Sequence, residues 1–297
     1  MSTDETPRCY LCGGIDHEVV AREFRYPIEK TGYRCSTCSL VFIHPPMSPE
    51  EERKFYEEEY GIIYSQEKNT TPADLFEARQ EDAGMYQDWV SPWLQPTDDC
   101  VEIGCASGYF LAVIKDRVGS VAGLETHLEL RQYCEQIGIP IHDRLEEMPE
   151  ASVDRLFAFF VLEHLGEPME FLAQARRVCR PGGSIMIVVP NVDDVLLSTY
   201  NIPKFNNFYF TPAHQFYYSK DTLGRLFKKA GLPKYEILPK QRYDLSNHMH
   251  WMMAGRPGGM GKYDDIFGDR LKRAYADDLV ARFLCDTLFA VVTVKAS

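Results

Sequence analysis

Residues 100–111 read Cys100-Val101-Glu102-Ile103-Gly104-Cys105-Ala106-Ser107-Gly108-Tyr109-Phe110-Leu111. An apolar run leads into a turn that contains two glycines, and the residues after the turn have the spacing of an amphipathic helix. At Gly104 and Gly108 a side chain would collide with a bound molecule, while the helix N-terminus presents free N–H groups to a carboxylate. The stretch therefore predicts a strand, a ligand-binding turn and a helix.

An acidic residue follows one strand and one helix later. Residues 120–124 read as a short strand, and Glu125 stands at its C-terminal tip. A carboxylate at this place can accept both ribose hydroxyls of a nucleoside, and Gly104 precedes it by roughly the 20 residues of a nucleoside-binding unit. The alternative is a solvated carboxylate at a strand end. A dinucleotide site would need G-x-G-x-x-G, whereas this loop reads E-x-G-x-x-x-G, so NAD is the weaker fit.

Short apolar runs alternate with helical patterns from about residue 98 onward. Strand patterns occupy residues 100–103, 120–124, 153–160, 184–189, 235–238 and 287–294, and helical patterns occupy 109–117, 128–137, 168–179 and 220–230. This alternation is typical of βαβ units and a parallel sheet.

Residues 98–232 resemble class I S-adenosylmethionine-dependent methyltransferases. The resemblance is carried by the glycine turn, by Glu125, by Asp143-Arg144, by the strand pattern that ends in Glu163-His164, and by Pro181-Gly182-Gly183. It implies an α/β fold with a doubly wound, Rossmann-like, mostly parallel seven-stranded sheet. It also implies S-adenosylmethionine as the cofactor.

The resemblance assigns cofactor contacts residue by residue. Glu102 and Gly104 would shape the methionine end, and Asp143 with the Arg144 backbone would meet the adenine. Phe159 and Phe160 would approach the cofactor or would equally be core. The full predicted cofactor set is Glu102, Gly104, Cys105, Ala106, Gly108, Glu125, Asp143, Arg144, Phe159 and Phe160.

Four cysteines near the N-terminus have the spacing of a metal site. Cys9 and Cys12 form one C-x2-C pair, and Cys35 and Cys38 form another after a gap of 22 residues. Two residues between paired thiolates let both reach one ion, and four thiolates close a tetrahedral zinc site. We expect a small zinc ribbon whose ion is structural. The alternative, two separate redox pairs, lacks the βαβ context that such pairs need.

The patterns divide the chain into three parts. The ribbon takes residues 1–45, a helical arm or lid takes 46–92 after a proline-rich break, and the methyltransferase core takes 93–297. Tyr56, Tyr60 and Tyr64 of the arm either pack into the core or cover the cofactor. An acceptor-binding insertion is expected at about 241–282, where polar and aromatic residues mix.

Two histidines are candidate general bases for a hydroxyl acceptor. His164 follows the fourth strand of the core, and His214 lies in an aromatic loop that can fold over the acceptor. Packing or capping roles remain the alternatives for both. We expect acceptor contacts from Tyr218, Arg242, Asn247 and His248.

Composition excludes several classes of partner. The net charge of −12 would repel a phosphate backbone, so we expect no nucleic acid partner. The longest apolar runs are too short to cross a bilayer, and the N-terminus lacks a secretory pattern, so we expect no membrane contact. Nine cysteines, an odd number, indicate a reducing compartment and hence the cytoplasm.

The ribbon joined to this core resembles bacterial methyltransferases of sugars, surface glycans and secondary metabolites. We therefore expect a small hydroxylated acceptor, with O-methylation favoured over C- or N-methylation. The chain lacks the large additional C-terminal domain of zinc-bearing sugar C-methyltransferases. Two rivals are a non-catalytic protein that binds S-adenosylmethionine or docks on a partner, and an NAD-linked oxidoreductase. The oligomeric state is not predicted.

Overall fold

The computed structural model describes residues 7–26, 28–48, 50–51 and 71–295. Tyr56, Tyr60 and Tyr64 lie outside these ranges, as does much of the predicted arm. The N-terminal part contains three antiparallel strands, β1 (His17–Ala21), β2 (Thr31–Cys35) and β3 (Val41–His44). Two helices then lead to the core, α1 (Pro72–Ala78) and α2 (Gln80–Val90).

The core is built on a seven-stranded sheet in the order β10-β11-β8-β7-β4-β5-β6. Its strands are β4 (Asp99–Ile103), β5 (Ser120–Leu124), β6 (Ile141–His142), β7 (Val153–Phe159), β8 (Cys179–Pro190), β10 (Tyr235–Lys240) and β11 (Thr287–Thr293). Strands β4 to β8 are parallel, and β11 runs antiparallel to both β8 and β10. The predicted α/β class with a mostly parallel seven-stranded sheet is confirmed.

Helices cover both faces of this sheet. The helices that follow β4 in the chain are α3 (Tyr109–Ile114), α4 (Leu128–Gln136), α5 (Pro168–Val178), α6 (Val195–Ser198), α7 (Pro203–Tyr209), α8 (Lys220–Lys229), α9 (Leu245–Ala254) and α10 (Asp269–Arg282). None of the helices among the described residues is long and apolar enough to span a bilayer.

The central strand β8 shows why the sequence folds in this way. Residues 185–189 of β8 are fully buried and uninterrupted in their apolar character, as is typical of a strand covered on both faces. Ile185 and Ile187 pack with α5 and α8 on one face, whereas Met186 and Val188 pack with α2 and α3 on the other. The period-two alternation of a strand thus separates the core into two layers.

The ribbon is joined to the core through a shared sheet. A short core strand, β9 (Phe216–Tyr217), pairs antiparallel with β3 and completes a four-stranded sheet in the order β1-β2-β3-β9. Tyr10 packs its ring against Phe216, with 5.1 Å between the ring centroids. The segment that follows His214 is therefore held in place by the N-terminal part of the chain.

Candidate active site

A cavity of about 1440 Å³ lies at the carboxyl ends of β4, β5 and β7. In open parallel sheets this is the edge at which ligands bind. The volume exceeds the roughly 300–1,000 Å³ of a site for one drug-sized ligand, so there is room for two molecules. Residues of the ribbon, the core and the predicted insertion all contribute to its walls.

One end of the cavity is formed by the segment from Gly104 to Glu125, here called the turn end. Gly104, Ala106 and Gly108 have positive φ angles of 67°, 49° and 74°. A Cβ atom at Gly108 would lie 2.7 Å from Ile139 Cδ1, inside the protein. Glycine at this position is therefore favoured by the positive φ angle and by packing against Ile139 and against Cys134 of α4.

Glu125 ties the glycine turn to the tip of β5. Its Oε2 accepts a hydrogen bond from the Ala106 N–H at 3.0 Å, and its Oε1 accepts from the N–H groups of Thr126 at 2.7 Å and His127 at 2.9 Å. Carboxylate oxygens have further lone pairs, so this side chain can still accept ribose hydroxyls. Gly104, Ala106 and Glu125 all line the cavity.

Three residues predicted as cofactor contacts do not line the cavity. Glu102, Cys105 and Gly108 lie behind its wall. Burial raises the pKa of the Glu102 carboxyl well above its usual range, and its Oε2 has no hydrogen-bond partner among the described residues. The Cys105 thiol faces β5, where a Cβ atom at Gly123 would come within 2.3 Å of its Sγ.

The predicted adenine and aromatic positions do line the cavity. Asp143 forms an ion pair with Arg131, and Arg144 Nε lies 3.4 Å from Glu146 Oε2. The Phe159 ring also packs into the core, 4.9 Å from the ring of Phe110.

Another part of the cavity wall contains a compact group of one acid and two imidazoles, here called the histidine end: Glu163, His164 and His214. The rings of His164 and His214 meet edge to face with 4.6 Å between centroids, and His164 Nε2 lies 4.0 Å from Glu163 Oε1. The Gln215 N–H donates to the Glu163 carbonyl at 2.8 Å, which fixes the two segments against each other.

Burial sets the protonation of the histidine end. It raises the pKa of Glu163 to about 8 and lowers that of His164 to about 4. Burial lowers the pKa of His214 well below its usual value, and His164 and Arg25 add to this effect. At neutral pH the group is therefore largely uncharged. Among the described residues, the carboxylate of Glu163 has no hydrogen-bond partner other than its own backbone N–H.

Residues of the predicted insertion also line the cavity. The Arg242 guanidinium lies 4.7 Å from the centroid of the Phe160 ring and 3.8 Å from Asp82 Oδ1 of α2. The Arg242 and Tyr243 N–H groups donate to Asp286 Oδ2 at 2.8 and 3.0 Å. Because Asp286 precedes β11, these bonds anchor the insertion to the sheet.

The remaining predicted acceptor residues separate into two groups. Asn247 and His248 lie on α9 and line the cavity, with His248 Nδ1 2.8 Å from the Tyr275 hydroxyl. Tyr218 is 1% exposed and does not line the cavity; its ring packs beside that of Phe216 with 6.2 Å between centroids.

Glu163, Arg25 and Asp286 were not predicted as site residues. All three line the cavity. Only Glu163 had a local signal, its adjacency to His164. The fold brings Arg25 and Asp286 to the site from the two ends of the chain.

The four N-terminal cysteines converge on one point. Their Sγ atoms all lie within 4.8 Å of one another, with 3.4 Å between Cys9 and Cys38 and 3.5 Å between Cys12 and Cys35. Gly13 adopts a φ of 75° in the tight turn after Cys12. The geometry fits a zinc ribbon-like module.

Comparison with known proteins identifies the core. A family model described as a methyltransferase domain matches residues 76–237. A probable S-adenosylmethionine-dependent methyltransferase of Mycolicibacterium smegmatis is 36% identical over 99 residues, which cover 31% of this chain and 38% of that protein. A tRNA U34 carboxymethyltransferase of Glaesserella parasuis is 29% identical over 143 residues, which cover 42% of this chain and 45% of that protein.

The matched segments thus span less than half the length of these two curated relatives. Among solved structures, a SAM-dependent methyltransferase from Archaeoglobus fulgidus superposes with a TM-score of 0.52 at 15% identity. The superposition covers 72% of this chain and 94% of that one. At this identity the likeness shows the fold alone.

Proposed function

The chain belongs to the methyltransferase domain family, and on this premise we propose that it transfers the methyl group of S-adenosylmethionine to a small hydroxylated acceptor. One observation supports the proposal above all others. A single cavity is lined both by a nucleoside-type glycine turn and by a largely buried group of one acid and two imidazoles. Its volume accommodates a cofactor and an acceptor together.

The turn end supplies the groups that would hold the cofactor. Glu125 would accept the ribose hydroxyls, the backbone at Gly104 and Ala106 would approach the methionine part, and Asp143 with Arg144 would meet the adenine. Bound S-adenosylmethionine supplies an electrophilic methyl group on a sulfonium. The protein then has to orient the acceptor, exclude water and remove a proton.

His164 and His214 are the groups that we propose for activating the acceptor. The hydroxyl proton has to leave as the new bond forms, and the two imidazoles lie together in the cavity wall. An imidazole nitrogen can accept a proton, or hold a metal ion, only when it is unprotonated. Because a hydroxyl acceptor needs a group that takes up its proton, the histidine end favours O-methylation over C- or N-methylation.

Polar side chains near the insertion support a hydroxyl-rich acceptor such as a sugar, a glycan precursor or a secondary metabolite. Arg242, Asn247 and His248 offer donors and acceptors to hydroxyl groups, and Tyr243 and Trp251 offer apolar surface beside them. The chain carries a net charge of −12, which argues against the tRNA substrate named for one relative.

We also propose that the four cysteines hold a structural zinc ion. Four thiolates fill a tetrahedral site and leave no position for water or substrate. The ion would supply the folding energy of a segment with little core of its own.

A calorimetric titration with S-adenosylhomocysteine, beside NAD as a control, tests the cofactor. We expect saturable binding of S-adenosylhomocysteine alone. Binding of NAD alone would favour the oxidoreductase. Incubation of the protein with methyl-labelled S-adenosylmethionine and a panel of hydroxylated acceptors then tests turnover, and binding without turnover on any acceptor would favour the docking protein.

A further inference from the structure

We propose that Glu163, His164 and His214 form a binding site for one divalent transition-metal ion, separate from the cysteine site. The proposal extends the proposed function. It rests on that function in one respect, because it places the ion where the acceptor hydroxyl would be activated. The binding of the ion itself is independent of any turnover.

The geometry of the three side chains is the first support. Each offers one ligand atom, and the three atoms lie within 4.8 Å of one another. Metal–ligand bonds of about 2.0–2.2 Å place two ligands of one ion no more than about 4.4 Å apart. Small rotations of the side chains are therefore enough to close the site. The hydrogen bond from the Gln215 N–H to the Glu163 carbonyl holds the segment of His214 beside that of Glu163 and His164.

The burial of Glu163 is the second support. Its side chain is 1% exposed and lines the cavity, and its own backbone N–H is the one donor that acts on the carboxylate among the described residues. A buried carboxyl group with so few hydrogen-bond partners is destabilising, whether it is ionised or neutral. A divalent cation between Glu163 and the two imidazoles would satisfy both oxygens and balance the charge of the ionised group.

The donor set indicates the class of ion. Two imidazole nitrogens and one carboxylate suit Zn²⁺, Mn²⁺, Fe²⁺ or Co²⁺, whereas Mg²⁺ and Ca²⁺ prefer oxygen ligands throughout. Three protein ligands leave at least one coordination position open, in contrast to the closed set of four cysteines. That open position faces the cavity, because all three side chains line it.

The ion would change how the histidine end removes a proton. An acceptor hydroxyl bound at the open position becomes more acidic, as water does on zinc. Its proton passes to bulk water, and the oxygen stays bound with the electron pair of the broken O–H bond. His164 and His214 then act by holding the ion. Arg25 carries a positive charge that acts on His214 and would oppose binding of the ion.

Binding of Mn²⁺ to the full chain, prepared with zinc already in the ribbon, tests the site. We expect electron paramagnetic resonance to count one bound Mn²⁺ per chain and spin-echo modulation to show imidazole ¹⁴N coupling. His214→Asn and Glu163→Gln should weaken this binding by at least the roughly 10–100-fold that loss of a supporting group costs. His142→Asn, which changes an exposed histidine at the end of β6, should not.

Three results would overturn the proposal. The first is the absence of any Mn²⁺, Co²⁺ or Zn²⁺ beyond the ribbon zinc, and the second is equal Mn²⁺ binding by His214→Asn, Glu163→Gln and the parent protein. The third is bound Mn²⁺ without imidazole coupling in the parent protein, a result that does not depend on any variant folding. Titration of the same sample with S-adenosylhomocysteine tests the proposed function separately, since failure of that titration would not change the metal-binding result.

Discussion

The turn end and the histidine end of the cavity are built in different ways. The turn end comes from one continuous segment, and its contacts are backbone N–H groups that Glu125 holds in place. The histidine end combines Glu163 and His164 with His214, from segments far apart in the chain, and its contacts are side chains. A site made of backbone groups from one segment therefore has a short sequence signature, whereas a site made of side chains from distant segments has almost none.

Because the two ends are built differently, substitutions at the turn end and at the histidine end should have separable effects. Changes at the histidine end should alter the rate of methyl transfer without altering cofactor affinity. Changes at the turn end should alter cofactor affinity directly. The predictions below start from the largest expected effect.

His214→Asn should have the largest effect, and it should be confined to the rate. We expect methyl transfer to the acceptor found by screening to fall by about 10²–10⁴-fold, because the group that activates the hydroxyl is lost. Affinity for S-adenosylhomocysteine, measured by calorimetry, should stay unchanged. A parallel loss of cofactor affinity would remove the distinction between the two ends. His142→Asn serves as the control.

Glu125→Ala should show the reverse pattern. The variant loses a carboxylate that accepts hydrogen bonds from three backbone N–H groups and that we propose to receive the ribose hydroxyls. We expect its affinity for S-adenosylhomocysteine to fall by about 100-fold. Glu129→Ala, which removes an exposed carboxylate in the first turn of α4, is the matched control. Unaltered affinity in Glu125→Ala would refute its role.

Cys35→Ser should affect the histidine end indirectly, through the ribbon. Loss of a thiolate removes the zinc, and β3 then no longer supports β9 beside His214. We expect metal analysis to find the ribbon zinc lost and methyl transfer to fall by about 10-fold or more, as for loss of a supporting group around a site. Cofactor affinity should persist. Ser36→Ala, an exposed position, is the control, and unchanged zinc content in Cys35→Ser would contradict the proposed ligand set.

Gly123→Ala should have the smallest effect on ligands and should act on stability. The new Cβ atom would lie 2.3 Å from Cys105 Sγ, and overpacking of this kind lowers the free energy of unfolding by about 1–3 kcal/mol. Denaturant unfolding measures the loss. Adding Cys105→Ala should recover much of it, because the clashing sulfur is removed. Absence of recovery would place the strain elsewhere, for example at Ile141.

Much of the fold and of the turn end followed from the sequence, for a physical reason. The alternation of strand and helix patterns is local, and it predicted the parallel sheet that the structure has. The position of Glu125 also followed from local spacing. The direction of side chains within the turn did not, since Cys105 faces β5 and not the cavity.

The histidine end was predicted only in part. His164 and His214 were chosen for their chemistry, but no pattern in the sequence indicated that their rings would touch. Arg25 and Asp286 were not predicted as site residues, because their place in the wall depends on how the chain ends pack on the core. Tyr218 was predicted to contact the acceptor, but it is buried and does not line the cavity.

The pairing of β3 with β9 has a consequence for the order of folding. Val41 pairs with Tyr217 and Phe42 with Phe216, so this ladder closes a loop that contains most of the core sheet. Contacts between residues so distant in the chain carry a high entropic cost and form late. Strands β1 to β3 can pair with one another before β9 is available, yet the ribbon sheet stays open at one edge until β9 has emerged. The histidine end accordingly cannot be complete before β9 has paired with β3.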